Sequence, residues 1–513
     1  MREKNQVVLP IDLGICIPEG DFVFKVAEIC ENLDYTELFN TYLRTWRKVN
    51  PITMFEVIVY GYMKHLYSGR EIAEACKTDI RFMWLLNGEP APSHATISRF
   101  EDEKLSKAIE GLFYQFVEKL YEMGEVKFKN LFVDGTKIEA YANKYTFVWK
   151  SVVEKNLAKL EKKISTLIYV LSERYGFSKS ISLEACYEHL CLQAQWLNLT
   201  FAVGKGKHKT QLQRDIETLK EYIDKKSEYY SHLGKFGNRN SFSKTDTDAT
   251  FMHMKEDHMR NGQLKPGYNI QIGVESEYIV GVGSFSNRND VGTLIPFLNR
   301  IRKHTNRVFE NIVADAGYES SENYLYLEEN RQNCFIKPQN YEMSKKRSYK
   351  ANPYTVENME YNAKRDEYTC PNGRKLKFRK ESTKTTENGY TISTKYYSND
   401  KCGRCPHRDK CHKSKKNCRT IQVNNVILEH RPKVLEALTS EEGALLRMNR
   451  SIQVEGVFGV LKEDYGFRRF LTRGKKNIET QFFLLAFALN VEKLCNRTKK
   501  GRIGLDLFLL NAS

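Results

Sequence analysis

The chain has 513 residues, of which 41% are hydrophobic and 12% aromatic, so it can bury sizeable cores and should divide into several domains. A net charge of +17 favours a polyanionic partner, either a nucleic acid or a membrane surface. The longest apolar run, Phe482–Leu489, is too short to span a bilayer, and the opening MREKNQVVLP lacks the apolar core of a signal peptide. We therefore expect a cytoplasmic protein that acts on DNA or RNA and has no membrane partner.

Residues 1–125 predict a helical domain that binds DNA. Several short helical segments precede the loop EPAPS, and Ser93 is placed to cap the next helix, HATISRFEDEKL. Several short helices followed by one with polar residues near its N-terminus resemble a helix-turn-helix DNA-binding domain. An ordinary helical bundle is the alternative. The side chains that this helix turns outward, and that we expect to contact DNA, include His94 and Arg99.

Two short buried strands each end in an aspartate. Leu131–Val133 is followed by Asp134, and Ile312–Ala314 is followed by Asp315. A buried carboxylate is costly unless it is paired, capped or bound to a metal, and open sheets bind ligands at the C-terminal ends of their strands. We therefore expect Asp134 and Asp315 to lie at one functional edge.

The surrounding region predicts a sheet that is interrupted by a helical insertion. Residues 126–148 and 241–340 carry the strand signals, including a β-hairpin around Glu275–Glu277. Residues 149–240 are charged with spaced Leu and Ile, which is typical of an antiparallel helical hairpin or bundle. We interpret the two strand-bearing segments as parts of one domain.

Residues 341–432 form a cysteine-rich insertion. Twelve cysteines in a chain without a signal peptide favour free thiols or metal binding over disulfides. Cys402 and Cys405 have the C-x-x-C spacing of a zinc knuckle. Structural Zn²⁺ that staples a small polar domain is one interpretation, and a set of free reduced thiols is the other. The best ligands are Cys370, Cys402, Cys405 and Cys411.

Residues 433–513 contain a late helix, predicted over Arg447–Arg473, with an apolar stripe at helical spacing. Glu455 lies beside the stripe, and Lys462, almost two turns later, shares a face with it. Taken alone, an acid in this place is explained by a solvated, salt-bridged surface. The stripe is formed by Val454, Val457, Phe458 and Leu461.

Taken in order, these motifs resemble the DDE transposases of bacterial insertion sequences. The matching pieces are FVDGT, GYNIQIGVE with the later NRND, VADAGY, and VEGVFGVLKEDYGFRRF, preceded by PSHATISRF near the N-terminus. SKTDTDA and CPNG…CGRCPHRDKC point to the subgroup with a cysteine-containing insertion before the catalytic glutamate. The resemblance implies an α/β fold: an RNase H-like mixed sheet flanked by helices, with an all-helical N-terminal domain, a helical insertion and the cysteine-rich insertion. Residues 433–513 then supply the C-terminal catalytic helices.

The resemblance also implies a function, namely metal-dependent cleavage of DNA at element ends and transfer of the 3′-OH into target DNA. Asp134, Asp315 and Glu455 would be the catalytic residues and the ligands of two Mg²⁺ ions, for which Mn²⁺ can substitute. The implied partners are the terminal repeats and the target DNA, bound by a homodimer in a synaptic complex. The alternative is a domesticated DNA-binding protein that keeps the fold without the chemistry.

One position departs from the family signature, which has an arginine four residues before its glutamate. Here that position is Ser451, with Arg450 and Arg447 nearby. A lysine follows the glutamate at the expected spacing. The basic residues that we expect to hold DNA near the glutamate are Lys462, Arg447, Arg450, Arg468 and Arg469.

Overall fold

A computed structural model describes residues 13–42, 49–204, 208–254, 262–412 and 418–505. The chain forms two compact units, one made of residues 1–138 and 269–513 and the other of residues 139–268. Within the described ranges, no helix is both long enough and apolar enough to cross a membrane.

The helices have the following bounds: α1 Phe22–Glu31, α2 Thr36–Asn40, α3 Pro51–Met63, α4 Gly69–Thr78, α5 Ile80–Leu86, α6 His94–Arg99, α7 Ile109–Glu122, α8 Lys150–Tyr175, α9 Leu183–Trp196, α10 Gln211–Phe236, α11 Leu294–Thr305, α12 Ser321–Glu329, α13 Tyr341–Ser344, α14 Arg347–Lys350, α15 Arg408–Cys411, α16 Asn425–Thr439, α17 Glu441–Arg450, α18 Gly456–Gly459 and α19 Lys475–Lys499.

The strands have the following bounds: β1 Asn130–Glu139, β2 Phe147–Trp149, β3 Ser241–Ser243, β4 Thr250–His253, β5 Leu264–Glu275, β6 Tyr278–Phe285, β7 Asn311–Ala314, β8 Asn333–Ile336, β9 Glu360–Asn362, β10 Glu367–Thr369, β11 Lys375–Thr385, β12 Thr391–Asn399 and β13 Arg419–Val423.

Local capping signals explain where the N-terminal helices begin. Ser68 and Glu71 form a capping box at α4, in which the side chain of each residue accepts from the backbone amide of the other. Ser93 caps α6 as predicted, by accepting from the amide of Thr96. Ile97 is buried on this helix, whereas His94 and the following polar side chains are exposed, so α6 presents a polar face.

The central sheet of the larger unit has the order β6-β5-β1-β7-β8. β1, β7 and β8 are parallel, while β5 and β6 form an antiparallel hairpin. Ser276 and Glu277 both have positive φ at the hairpin turn, as a two-residue turn between twisted strands requires. Three parallel strands beside an antiparallel hairpin make the mixed α/β, RNase H-like arrangement that the sequence predicts.

The register of the parallel strands places the two aspartates side by side. Val133 is opposite Ala314 in the last pair of β1 and β7. Asp134 and Asp315 follow at once on strands that lie about 4.8 Å apart. The prediction that the first strand ends at Val133 was wrong, because β1 continues to Glu139; only its pairing with β7 stops before Asp134.

The smaller unit holds the predicted helical insertion. α8, α9 and α10 bury one face each in a shared apolar core, in which Leu171, Leu190 and Leu219 are fully buried. β2 pairs with β3, and β4 pairs with the first residues of β5. The spaced Leu and Ile residues therefore form a three-helix bundle rather than a single hairpin.

The cysteine-rich region folds on a second antiparallel sheet, ordered β13-β12-β11-β10-β9. Its core is small, with Leu376, Tyr397 and Ile421 among its buried side chains. Most of β11 is exposed. Because so little apolar surface is buried, hydrophobic burial contributes little to the stability of this region.

The late helix differs from the predicted Arg447–Arg473. α17, a π-helical turn at Ser451–Glu455, α18 and a second π-helical turn at Val460–Asp464 follow one another without a break. The helix then stops, because Gly466 adopts φ +61° and the Tyr67 hydroxyl donates to the carbonyl of Tyr465 at 2.6 Å. The predicted C-terminal bound was therefore wrong, although the predicted apolar stripe is buried.

Candidate functional site

The two strand-end aspartates are held by backbone groups next to them. Asp134 is 7% exposed, and its Oδ1 accepts from the amide of Gly135 at 2.8 Å. Asp315 Oδ1 accepts from the amide of Gly317, also at 2.8 Å, and so caps the short 3₁₀ turn Ala316–Tyr318. Both carboxylates therefore have fixed positions at the same edge of the sheet.

Arg450 connects the sheet to the late helix. Its Nη1 lies 3.5 Å from Oδ2 of Asp134, and its Nη2 lies 3.9 Å from Oε1 of Glu455. One guanidinium thus bridges two carboxylates that are more than three hundred residues apart in the chain. Among the described residues, Nη1 of Arg450 is buried and finds no hydrogen-bond acceptor.

The π-helical turn explains how an arginine one position early reaches the glutamate. In an α-helix, residues five apart point about 140° away from each other. A π-helical turn takes in one extra residue, so that residues five apart return to nearly the same side. Because Ser451–Glu455 is π-helical, Arg450 occupies the place that an arginine four residues before Glu455 would have in a regular helix.

Tyr318 shows which charged groups share this environment. Burial raises the pKa of the Tyr318 hydroxyl well above its ordinary value. The carboxylates of Asp290, Asp134 and Asp315 raise the pKa further, whereas Arg450 lowers it. Asp290, the last residue of the NRND motif, is therefore a further carboxylate in the same environment as Asp134 and Asp315.

The donors suit a hard divalent cation, which prefers carboxylate oxygens. Across the described ranges, however, no group of three or more His, Cys, Asp or Glu side chains is arranged to hold a metal ion. The guanidinium of Arg450 lies between Asp134 and Glu455, and the Glu455 side chain is 62% exposed. A positive charge thus already occupies the place between these two carboxylates.

The other basic residues predicted to hold DNA have different surroundings. Arg447 donates to the hydroxyl of Tyr341 and lies 5.2 Å from the centre of its ring. Arg468 forms an exposed ion pair with Glu463 at 2.7 Å. The remaining predicted residues are the partly buried Lys462 and the exposed Arg469, His94 and Arg99.

The four predicted cysteine ligands border one cavity, although among the described residues their side chains are not arranged to hold a metal ion. Cys370, Cys402, Cys405 and Cys411 line one cavity of about 20 Å³, together with His412 and Arg419 among others. That volume holds roughly one ion or water molecule. Nη1 of Arg419 lies 2.8 Å from the sulfur of Cys411, so a guanidinium occupies part of the space that a metal ion would take.

Comparisons with known proteins give two matches. Residues 12–103 match the family described as Transposase domain (DUF772), and residues 369–495 match the family described as Transposase DDE domain. The second match includes Glu455 and the cysteines of the cavity, whereas Asp134 and Asp315 lie outside both. No curated protein and no solved structure matches the chain. Transposase families thus match both the N-terminal and the C-terminal part of the chain, with an RNase H-like core between them, as in the DDE transposases of insertion sequences.

Proposed function

We propose that this transposase cleaves DNA at the ends of its element and joins the released 3′-OH to target DNA, with Asp134, Asp315 and Glu455 as the catalytic carboxylates. The observation that supports this most directly is the bridge from Asp134 through Arg450 to Glu455. The parallel register, which puts Asp315 beside Asp134, supplies the third group.

Each carboxylate has a distinct part in this proposal. Asp134 and Asp315 are rigid, since backbone amides fix one oxygen of each. Glu455 is largely exposed and can turn toward them. A pair of Mg²⁺ or Mn²⁺ ions, when bound there, would activate the attacking oxygen and stabilise the leaving oxygen. Arg450 would then be released from the carboxylates to contact a DNA phosphate.

The net positive charge of the chain supports DNA as its partner. An excess of 17 positive charges suits the phosphate backbone of DNA. Because two element ends must be joined, we also propose that a homodimer binds them, with the exposed polar face of α6 contacting the terminal repeats.

The catalytic assignment predicts that Asp134→Ala, Asp315→Ala and Glu455→Gln each abolish Mg²⁺-dependent cleavage and strand transfer while leaving DNA-end binding largely intact. The substrate would be labelled DNA that carries the sequences flanking the gene on both sides. Reaction products would be separated on gels, and binding would be measured by mobility shift. Glu463→Gln, an exposed acid on the same helix, serves as the matched control and should react like the wild type. Normal transfer by any of the three variants would refute the assignment.

We further propose that the cysteine cavity binds structural Zn²⁺, as in a subgroup with a cysteine-containing insertion. Four thiolates are a preferred zinc ligand set, and the small core of the second sheet would gain stability from such a staple. Arg419 would have to leave Cys411 for this to happen.

The zinc proposal predicts about one Zn²⁺ per chain in protein purified under reducing conditions, measured by elemental mass spectrometry. Cys405→Ser should lose most of the metal and the stability of this region, whereas the exposed Cys16→Ser should lose neither. A metal content near zero in a fully folded wild-type protein would show that the cysteines are free thiols.

A further inference from the structure

Asp290 lies in the loop between β6 and α11 and accepts hydrogen bonds from two buried amides. Its Oδ1 accepts from Asn269 Nδ2 at 2.7 Å and from Gln271 Nε2 at 2.9 Å. Both amides are on β5 and are fully buried. The Asp290 side chain is itself half-buried, and two fully buried donors aimed at one of its oxygens indicate a built arrangement rather than a solvated loop acid.

The two amides also bond to each other and to Tyr318. Gln271 Nε2 donates to Asn269 Oδ1 at 2.9 Å, and the hydroxyl of Tyr318 donates to Gln271 Oε1. Tyr318 closes the 3₁₀ turn that Asp315 caps. The network therefore joins Asp290 to the segment that carries the second catalytic aspartate.

Two glycines bring the Asp290 carboxylate against the backbone beside both aspartates. A methyl group added to Gly135 would lie 2.3 Å from Gln271 Nε2 and 2.8 Å from Asp290 Oδ1, so these side chains would have to shift. A methyl group added to Gly317 would lie 3.6 Å from Asp290 Oδ2 and 2.9 Å from Asp315 Oδ1. Asp290 is thus packed between the residue that follows Asp134 and the residue whose amide holds Asp315.

We propose that Asp290 is a positioning residue, which sets the separation of Asp134 and Asp315 and adds negative charge beside them, so that they bind a divalent cation. This inference rests on the proposed metal-dependent function. Asp290 acts through Gly135, Gln271 and Tyr318, and it need not contact the cation. Groups that orient metal ligands in this way typically change metal affinity by about 10–100-fold when they are replaced.

The test measures Mn²⁺ binding to the purified full-length protein without DNA. Electron paramagnetic resonance detects the free ion, and the loss of its signal gives the bound fraction. Asp290→Asn keeps the shape of the side chain but removes its charge, and we expect it to weaken Mn²⁺ binding by about 10-fold or more. Tyr318→Phe removes one hydroxyl without changing any charge at neutral pH, and we expect a smaller loss. If Asp290→Asn folds poorly, Tyr318→Phe still tests the proposal.

Glu275→Gln provides the matched control. Glu275 is a buried carboxylate on the same strand, β5, and its oxygens accept from the amides of four consecutive residues, Lys127, Phe128, Lys129 and Asn130. These four residues lead into the start of β1, before Asp134, so the loss of Glu275 should lower stability but leave Mn²⁺ affinity within about twofold of the wild type.

The outcomes separate this inference from the proposed function. If Asp134→Ala loses Mn²⁺ but Asp290→Asn and Tyr318→Phe bind it like the wild type, the positioning role is wrong and the catalytic proposal stands. If Glu275→Gln weakens binding as much as Asp290→Asn, the effect is general destabilisation and the inference is also wrong. If the wild type binds no Mn²⁺, both proposals fail together.

Discussion

Arg450 holds the carboxylate group together as long as no other cation is there. Asp134 is buried, and an unpaired charge in such a place is strongly unfavourable. The guanidinium compensates for that charge from 3.5 Å and reaches Glu455 with its other nitrogen. A divalent cation and Arg450 should therefore compete for the same two carboxylates.

This competition predicts that metal binding stabilises an Arg450→Ala variant more than it stabilises the wild type. Without metal the variant should be less stable than the wild type by about 2–4 kcal/mol, because Asp134 loses its buried partner. Mn²⁺ should then stabilise the variant more than the wild type, since binding no longer displaces an arginine. Thermal unfolding with and without Mn²⁺ measures both effects.

Arg447→Ala is the control for this comparison, because Arg447 is on the same helix but contacts Tyr341. It should lower stability to the same extent with and without Mn²⁺. Equal metal stabilisation of Arg450→Ala and the wild type would show that Arg450 does not compete with the cation.

Residues differ in how far their surroundings can be predicted from the sequence. Asp134 and Asp315 could be placed at one sheet edge, because each follows a short apolar run and parallel strands end together. The surroundings of Asp290 could not be predicted in this way. Its partners are Asn269 and Gln271 on one strand and Tyr318 on another segment, and only the folded register brings their side chains together.

At the scale of elements, periodicity predicted the type of most segments and missed the irregular turns. The stripe around Glu455 is buried as expected, since a π-helical turn alters the spacing by a single residue. That same residue decides whether Arg450 or Ser451 faces Asp134, and no periodic pattern reveals it. The end of the helix at Asp464 was missed for a related reason: it depends on a tertiary hydrogen bond from Tyr67 to Tyr465.

At the scale of the whole larger unit, Arg300 links three helices that are far apart in the sequence. From α11 it makes two hydrogen bonds to Glu110 on α7 and two to Glu479 on α19. The three side chains are between 19% and 28% exposed, so solvent screens these ion pairs only in part. A second ion pair, between Arg307 just after α11 and Glu118 on α7, is 36% and 38% exposed. Its contribution to stability can be compared with that of the more buried Arg300 ion pairs.

We expect Arg300→Met to lower the free energy of unfolding by about 2–3 kcal/mol at pH 7, because two half-buried carboxylates lose their arginine, while Glu110 keeps its contact with His304. Arg307→Met, the matched control, should cost about 1 kcal/mol or less. Urea unfolding of both variants against the wild type measures the difference. Equal costs would show that the Arg300 group stabilises no more than a surface pair.

The stability that the ion pairs of Arg300 with Glu110 and Glu479 contribute should depend on pH. Burial alone raises the pKa of Glu110, but the hydrogen bonds from Arg300 and His304 outweigh it and lower the pKa to about 2. A carboxylate whose pKa is depressed on folding adds stability above its ordinary pKa of about 4.5 and loses it as the pH falls toward 2. The stability gap between the wild type and Arg300→Met should therefore be full at pH 7 and shrink steadily below about pH 5, as the carboxylates take up protons. Urea unfolding in steps from pH 7 to pH 3 follows this gap, and a gap that stayed constant would mean that Arg300 stabilises the unit by packing rather than by charge.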